Sequence, residues 1–224
     1  MSMSTSLRYS SIPLAIAALV LAASNALAAA PDPKTGPEPS RAERSVATYR
    51  GGLVTPPLPK PQFTLTDTSG APFDFRAETD GYITLLFFGY THCPHECPLH
   101  MATLAMSLKQ IPPDVRSQIR VVFVTADPAR DTSTVLRAWL DQFDKRFIGL
   151  TGDGAMVKAA QRAAQVPAAS KVTLADRSYG VEHASFVLAY TRDDLAHVIY
   201  PGGVTPTDWA HDLPLLVKEV WTNR

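Results

Sequence analysis

The 224-residue chain predicts an α/β domain, a mixed sheet flanked by helices, and three observations carry that expectation. Two near-continuous apolar runs, Tyr82 to Tyr90 and Ile119 to Thr125, have the pattern of strands buried on both faces, as at the centre of a parallel sheet. Each is followed by a segment whose apolar residues recur at helical spacing. The chain then closes with two further strands, Ser185 to Tyr190 and Ala196 to Tyr200, and a last helix, which gives the sheet antiparallel members.

Taken in order, residues 1–28 read as a cleavable signal peptide. Arg8 precedes an apolar stretch from Ile12 to Ala23, and Ala26-Leu27-Ala28 offers the small-x-small pattern, with cleavage after Ala28. The alternative is an uncleaved inner-membrane anchor, because Ile12 to Ala30 approaches the length that spans a bilayer. Ser24 and Asn25 interrupt that stretch, so cleavage and a periplasmic location are expected. Residues 29–61 carry prolines at 31, 33, 37, 39, 56, 57 and 59, which leave no helical or strand period; a flexible, extended arm is expected.

One domain is expected over 62–224. Phe63 and Leu65 lead into Asp67-Thr68-Ser69-Gly70, with Pro72, Phe73 and Phe75 on the return, which predicts an N-terminal β-hairpin. Leu99 to Ile111 reads as a helix stopped by Pro112-Pro113. Thr132 or Ser133 caps a helix with Val135, Leu136, Trp139, Leu140 and Phe143 on one face. Phe147 to Leu150 is a short strand, and Thr151-Gly152-Asp153 opens a helix running to about Gln165. Residues 166–182 look like loop, with a short strand allowed at Lys171 to Leu174. The last helix starts near Thr207, and Pro214 should kink or restart it. This is the element order of a thioredoxin-like domain with additional N-terminal strands.

The charges cancel, 21 basic against 21 acidic residues, and no long basic run is visible, which argues against a nucleic-acid partner. The chain has only two cysteines, Cys93 and Cys97, both in Gly89-Tyr90-Thr91-His92-Cys93-Pro94-His95-Glu96-Cys97-Pro98, where the first buried strand gives way to a helix. A helix N-terminus favours the thiolate, so the pair suits either a metal clamp or a redox dithiol. A structural disulfide closing so short a loop would stabilise the domain little.

Two sulfurs suit soft ions, above all Cu(I) and then zinc, but a pair alone is an incomplete site. Histidines stand at 92, 95, 100, 183, 197 and 211. His183 is the expected third ligand, because it occupies the loop entering the strand from Ser185. In thioredoxin-like oxidoreductases that slot holds a cis-proline against the dithiol; here it reads His183-Ala184-Ser185-Phe186. His92 and His95 inside the cysteine loop are expected to be exposed or to support the ligands. His100 could approach from the helix, and His197 and His211 have no argument for a site. Met101 and Met106 are explained by core packing. Asp127, Arg130 and Asp131 follow the second central strand, as either a helix entry with a local ion pair or a group shaping the pocket.

Four segments in order resemble the Sco/SenC family of copper-binding proteins that assist assembly of the binuclear copper centre of cytochrome c oxidase. They are Phe88-Gly89-Tyr90-Thr91-His92-Cys93-Pro94-x-x-Cys97-Pro98, Asp127-Pro128-Ala129-Arg130-Asp131-Thr132, Gly149-Leu150-Thr151-Gly152, and Tyr179-x-Val181-Glu182-His183, within a likeness covering about Pro61 to Val220. The resemblance implies a thioredoxin-like fold and one copper, Cu(I) or Cu(II), held by Cys93, Cys97 and His183. The sequence departs from the family at Glu182 and Ala184, where Asp and Ser are usual, a change expected to alter the surroundings of the histidine rather than the ligand set.

Two functions follow from the resemblance. The first is a periplasmic metallochaperone rather than an enzyme. It would take copper from a donor chaperone, pass it to the copper-bearing oxidase subunit or a related copper enzyme, and depend on a thioredoxin-type reductant to keep its thiols reduced. The second is a thiol:disulfide oxidoreductase, with Cys93 and Cys97 as its catalytic pair, that keeps the target's copper-site cysteines reduced. The three residues between the cysteines and the histidine at 183 argue against an efficient general reductase.

Overall fold

The computed structural model describes residues 49–175 and 177–221; the signal peptide expected over 1–28 and the arm up to residue 48 lie outside them. The described strands are β1 (Gly52–Pro59), β2 (Thr64–Asp67), β3 (Pro72–Asp74), β4 (Ile83–Gly89), β5 (Ile119–Thr125), β6 (Ile148–Thr151), β7 (Ser170–Thr173), β8 (Tyr179–Glu182), β9 (Val187–Tyr190) and β10 (Leu195–Tyr200). The helices are α1 (Phe75–Glu78), α2 (Glu96–Gln110), α3 (Pro113–Arg116), α4 (Ser133–Leu140), α5 (Gly154–Ala163) and α6 (Pro206–Lys218). Eight strands form one sheet in the order β1-β10-β9-β4-β5-β6-β2-β3. Its centre, β4-β5-β6, is parallel, and every other pairing is antiparallel. The expected mixed, helix-flanked sheet is present, with its β2–β3 hairpin added beside β6.

Every residue of β4 is buried, as the unbroken apolar run requires. Alternation along it feeds two cores: Leu85 and Phe87 pack with Phe123, Leu104, Trp209 and Leu213, whereas Leu86 and Phe88 pack with Val122, Val124, Leu150 and Val157. Helix starts follow the capping signals. Thr132 caps α4 by accepting from Val135 N, Asp153 caps α5 by accepting from Met156 N, and Thr205 with Asp208 forms a capping box at α6.

The structure corrects several expectations. The end of the expected arm is a strand: β1 is an edge strand paired to β10, its register shifting between Leu53 and Leu58 around Pro56 and Pro57. Prolines are tolerated on a sheet edge, where missing N–H groups cost least, so their density does not exclude a strand. The lead-in is also fastened. Arg50 and Gly51 N–H groups donate to the buried Asp212 carboxylate at 2.8 and 3.0 Å, and Tyr49 is buried. Within 166–182, the allowed strand has a partner the sequence did not suggest, β8, so the segment is a separate two-stranded ribbon. Helix α2 begins at Glu96 rather than Leu99, which puts Cys97 in its first turn. Val135 is exposed, while Leu136 and Leu140 carry the buried face of α4. Helix α6 runs through Pro214 without a break; Trp209 before it and Leu216 after it are both fully buried, so packing holds the two halves in line.

Candidate metal centre

The thiol side is built by the main sheet. β4 ends at Gly89, Cys93 N–H donates to Tyr90 O at 3.2 Å to close a turn, and α2 then presents Cys97. Gly89 is required there, since a Cβ would stand 2.7 Å from Cys97 Sγ. Both cysteines are free thiols, Cys97 fully buried and Cys93 half-buried. The Cys97 N–H points at Cys93 Sγ, 3.5 Å away. Asp131, fully buried, fixes the loop: its carboxylate accepts from Thr91 N at 2.9 Å, Thr91 Oγ1 at 2.6 Å and Thr125 Oγ1 at 2.7 Å. Of the two readings of this acidic segment, Asp131 therefore takes the pocket-shaping one.

The imidazole side comes from the ribbon. His183 directly follows β8, and its Nε2 lies 3.5 Å from Cys97 Sγ. Its Nδ1–H donates to Ala184 O at 3.0 Å, which leaves Nε2 as the free lone pair turned to the sulfurs. Phe87 and Tyr90 meet the ring edge-on, with centroids 5.9 and 5.6 Å away. The two sulfurs and a ring nitrogen of His183 all lie within 4.8 Å of one another, the one such cluster among the described residues. A soft or borderline cation is what this donor set accepts.

Charge is unevenly shared. The Cys93 thiol is pushed down to about 3, first by the hydrogen bond from the Cys97 thiol, with His183 and nearby backbone N–H groups outweighing desolvation. Burial pushes the Cys97 thiol up, and the adjacent Cys93 adds to the rise. Burial alone would lower His183, but its contact with Cys93 and its bond to Ala184 raise it above the ordinary imidazole value. The cysteine pair is thus one thiolate and one thiol, with the His183 imidazole beside it.

The other histidines stand apart. His92 and His95 are exposed. His100 is buried against Phe87, and its Nε2–H donates to Ser185 O at 3.2 Å, so it ties α2 to the entry of β9. His197 stacks on Trp221 and pairs with Asp193, and His211 pairs with Asp212. Met101 is core, whereas Met106 is half exposed, against expectation. Glu182 is exposed and accepts from Ser170 Oγ at 3.4 Å, and residue 184 serves His183 through its backbone carbonyl. Neither departure from the family pattern therefore reaches the ligand atoms by its side chain.

Sequence reasoning did not foresee the contacts that hold the ribbon. Tyr90 Oη accepts from Val181 N at 3.4 Å. Arg130 pairs with Asp127, donates to Tyr179 O at 3.1 Å and lies 3.8 Å over the Tyr179 ring. Tyr179 Oη donates back to Asp127 at 3.1 Å. All of these residues stand in the quoted motifs, but no spacing rule connects positions 127, 130 and 179.

Comparison with known proteins matches residues 55–218 to the SCO1/SenC family model. The chain belongs to the SCO1/SenC family. The mitochondrial protein SCO2 of Saccharomyces cerevisiae is 37% identical over 97 residues, which cover 43% of this chain and 32% of that one. The chain thus spans about a third of that relative's length. Copper-bound ScoI of Bradyrhizobium japonicum superposes with a TM-score of 0.63 at 30% identity, over 71% of this chain and 99% of that one. Copper-bound yeast Sco1 superposes with a TM-score of 0.65 at 25% identity, over 73% and 90%. The thioredoxin-like class expected from the element order is the fold these relatives share.

Proposed function

We propose that this protein is a copper carrier that holds one copper through Cys93, Cys97 and His183 and passes it by ligand exchange to a copper-bearing cytochrome c oxidase subunit or a related copper enzyme. The observation that carries this reading is the convergence of two sulfurs and a correctly oriented imidazole nitrogen within 4.8 Å, in a family whose solved members include copper-bound structures. Copper is the cargo, and the donor set fits it: thiolate sulfur and imidazole suit Cu(I), with Cu(II) tolerated through the imidazole. The half-buried Cys93 leaves one side of the site open to an incoming acceptor ligand. Export of the chain would put the site in an oxidising compartment, so a copper donor and a thioredoxin-type reductant are the remaining partners.

The divided charge of the cysteine pair favours a second use of the same site. The Cys93 thiolate can attack a target disulfide, releasing one target thiolate and forming a mixed disulfide; Cys97, after losing its proton, displaces the second target thiol. The target gains two electrons, Cys93–Cys97 becomes the disulfide, and an external dithiol must reduce it again.

Anaerobic Cu(I) titration against a competing chelator, wild type beside His183→Ala, separates the readings. A carrier shows one tight copper per chain and a loss of about tenfold or more in the variant, equivalent to about 1.4 kcal/mol. Absence of tight binding, with a readily exchanged disulfide, would assign the site to thiol exchange.

A further inference from the structure

A cavity of about 610 Å³ opens at the carboxyl ends of the parallel strands β5 and β6, and Cys93, Cys97 and His183 take no part in its lining. It lies between the segment Ala126 to Ala129 that follows β5, the first turns of α5, and the ribbon residues Ser170, Lys171 and Val181. The outer crevice at the carboxyl ends of parallel strands is where α/β sheets habitually receive small ligands, and the volume is in the usual range for such sites.

Its polar groups are specific. Gln161 is fully buried and lines the cavity. Its Oε1 accepts from Ala169 N–H at 3.0 Å, which sets the orientation of the amide, and its Nε2 has no hydrogen-bond partner among the described residues. A buried donor left in this way costs stability unless something supplies an acceptor. The two carboxylates at the cavity are already engaged, Asp127 with Arg130 and Tyr179, and Asp153 with Met156 N–H. Lys158 and Lys171 are exposed at its edge, so the charge left over is positive. The remaining wall is largely apolar, including Ala126, Pro128, Val157 and Val181.

We propose that this cavity binds a small organic carboxylate whose apolar body carries a carbonyl or similar acceptor: the acceptor takes the Gln161 Nε2–H and the carboxylate lies against Lys158 and Lys171. The site is independent of the metal centre's ligands. Because Ser170, Lys171 and Val181 belong to the ribbon that ends in His183, a bound carboxylate also stabilises the ribbon's position.

The test is an amide nitrogen–proton NMR titration of the reduced full chain with N-acetylvaline and with levulinate, each an acceptor-bearing carboxylate, and with hexanoate, which lacks the inner acceptor. Saturable shifts are expected at the Gln161 side-chain amide and at Ala169, Gly152 and Gly154, with hexanoate about tenfold weaker. Gln161→Met removes the donor, and Lys158→Glu, an exposed change that leaves the core intact, reverses the charge; each should weaken binding about fivefold or more. Absence of saturable shifts with both acceptor-bearing probes would show that the cavity holds water alone and overturn the proposal. So would equal binding of hexanoate, or unchanged affinity in Lys158→Glu. None of these outcomes depends on copper binding, so the carrier reading is judged separately.

Discussion

The two halves of the candidate metal centre are held by different means. Cys93 and Cys97 stand between the fully buried β4 and the first turn of α2, with Asp131 fastening the loop through three hydrogen bonds. His183 hangs from a two-stranded ribbon outside the eight-stranded sheet, held by Arg130, Tyr179, Asp127 and Tyr90 at its base. One side continues directly from a fully buried strand; the other is joined to the core through Val181 and the polar contacts at the ribbon's base. The copper carrier proposed above would have to both grip and release its cargo, and local stability drawn from few contacts is what allows a segment to open without global unfolding.

The largest effect should come from the thiol side. Cys93→Ser or Cys97→Ser should abolish tight Cu(I) binding and disulfide formation together, read by the same chelator competition and by thiol counting; retention of tight copper in either variant would break the ligand assignment. Next, Asp131→Asn turns an amide donor toward three donors, and should cost about 2–4 kcal/mol in denaturant unfolding. Its copper affinity should fall as well, because the loop that carries both thiols loses its anchor.

The ribbon side should respond more gently. Arg130→Gln removes the contacts with Asp127 and Tyr179 while leaving every ligand in place. Copper affinity should drop by about twofold to fivefold, with Cys93 alkylation unchanged. A loss as large as that of His183→Ala would mean that the ribbon does not hold its position without this contact, and no loss would mean that the contact is structural decoration.

A pH dependence that comes from the thiols tests the charge asymmetry itself. Between about 3 and the ordinary thiol value of 9.0, the unfolded chain holds a proton on Cys93 that the folded chain lacks. Stability of the reduced, metal-free protein should therefore rise with pH through that window and be lost as pH falls toward its lower end. Cys97 is shifted the other way, so above the ordinary thiol value its contribution falls as pH rises. Cys93 alkylation should be nearly flat over roughly pH 5 to 8, where an ordinary thiol gains about tenfold per unit, because its thiolate is already formed. A steep profile would remove the charge asymmetry.

The order in which residues became legible follows their physics. β4 and β5 could be read because strands buried on both faces need unbroken apolar runs, and α4 and α5 because Thr132 and Asp153 mark their starts; α6 was expected near Thr207, and the structure sets its cap at Thr205. β1 was hidden by its prolines, since an edge strand shows neither alternation nor an apolar run. β8 was hidden because four residues in a ribbon with one buried position leave no period to detect.

The sequence by itself determined the sheet's centre, the placing of both cysteines at a strand–helix junction, and the candidacy of His183 as a third donor, since these depend on local pattern and chain order. Only the tertiary structure decided which Asp anchors the thiol loop, that His100 is spent on Ser185, and that Asp127, Arg130 and Tyr179 act as one group. Those contacts join residues that are 40, 85 and up to 52 positions apart. The physical reason is that hydrogen bonds and ring stacking act over a few ångströms, and nothing local in a chain records which distant groups the fold will bring within that reach.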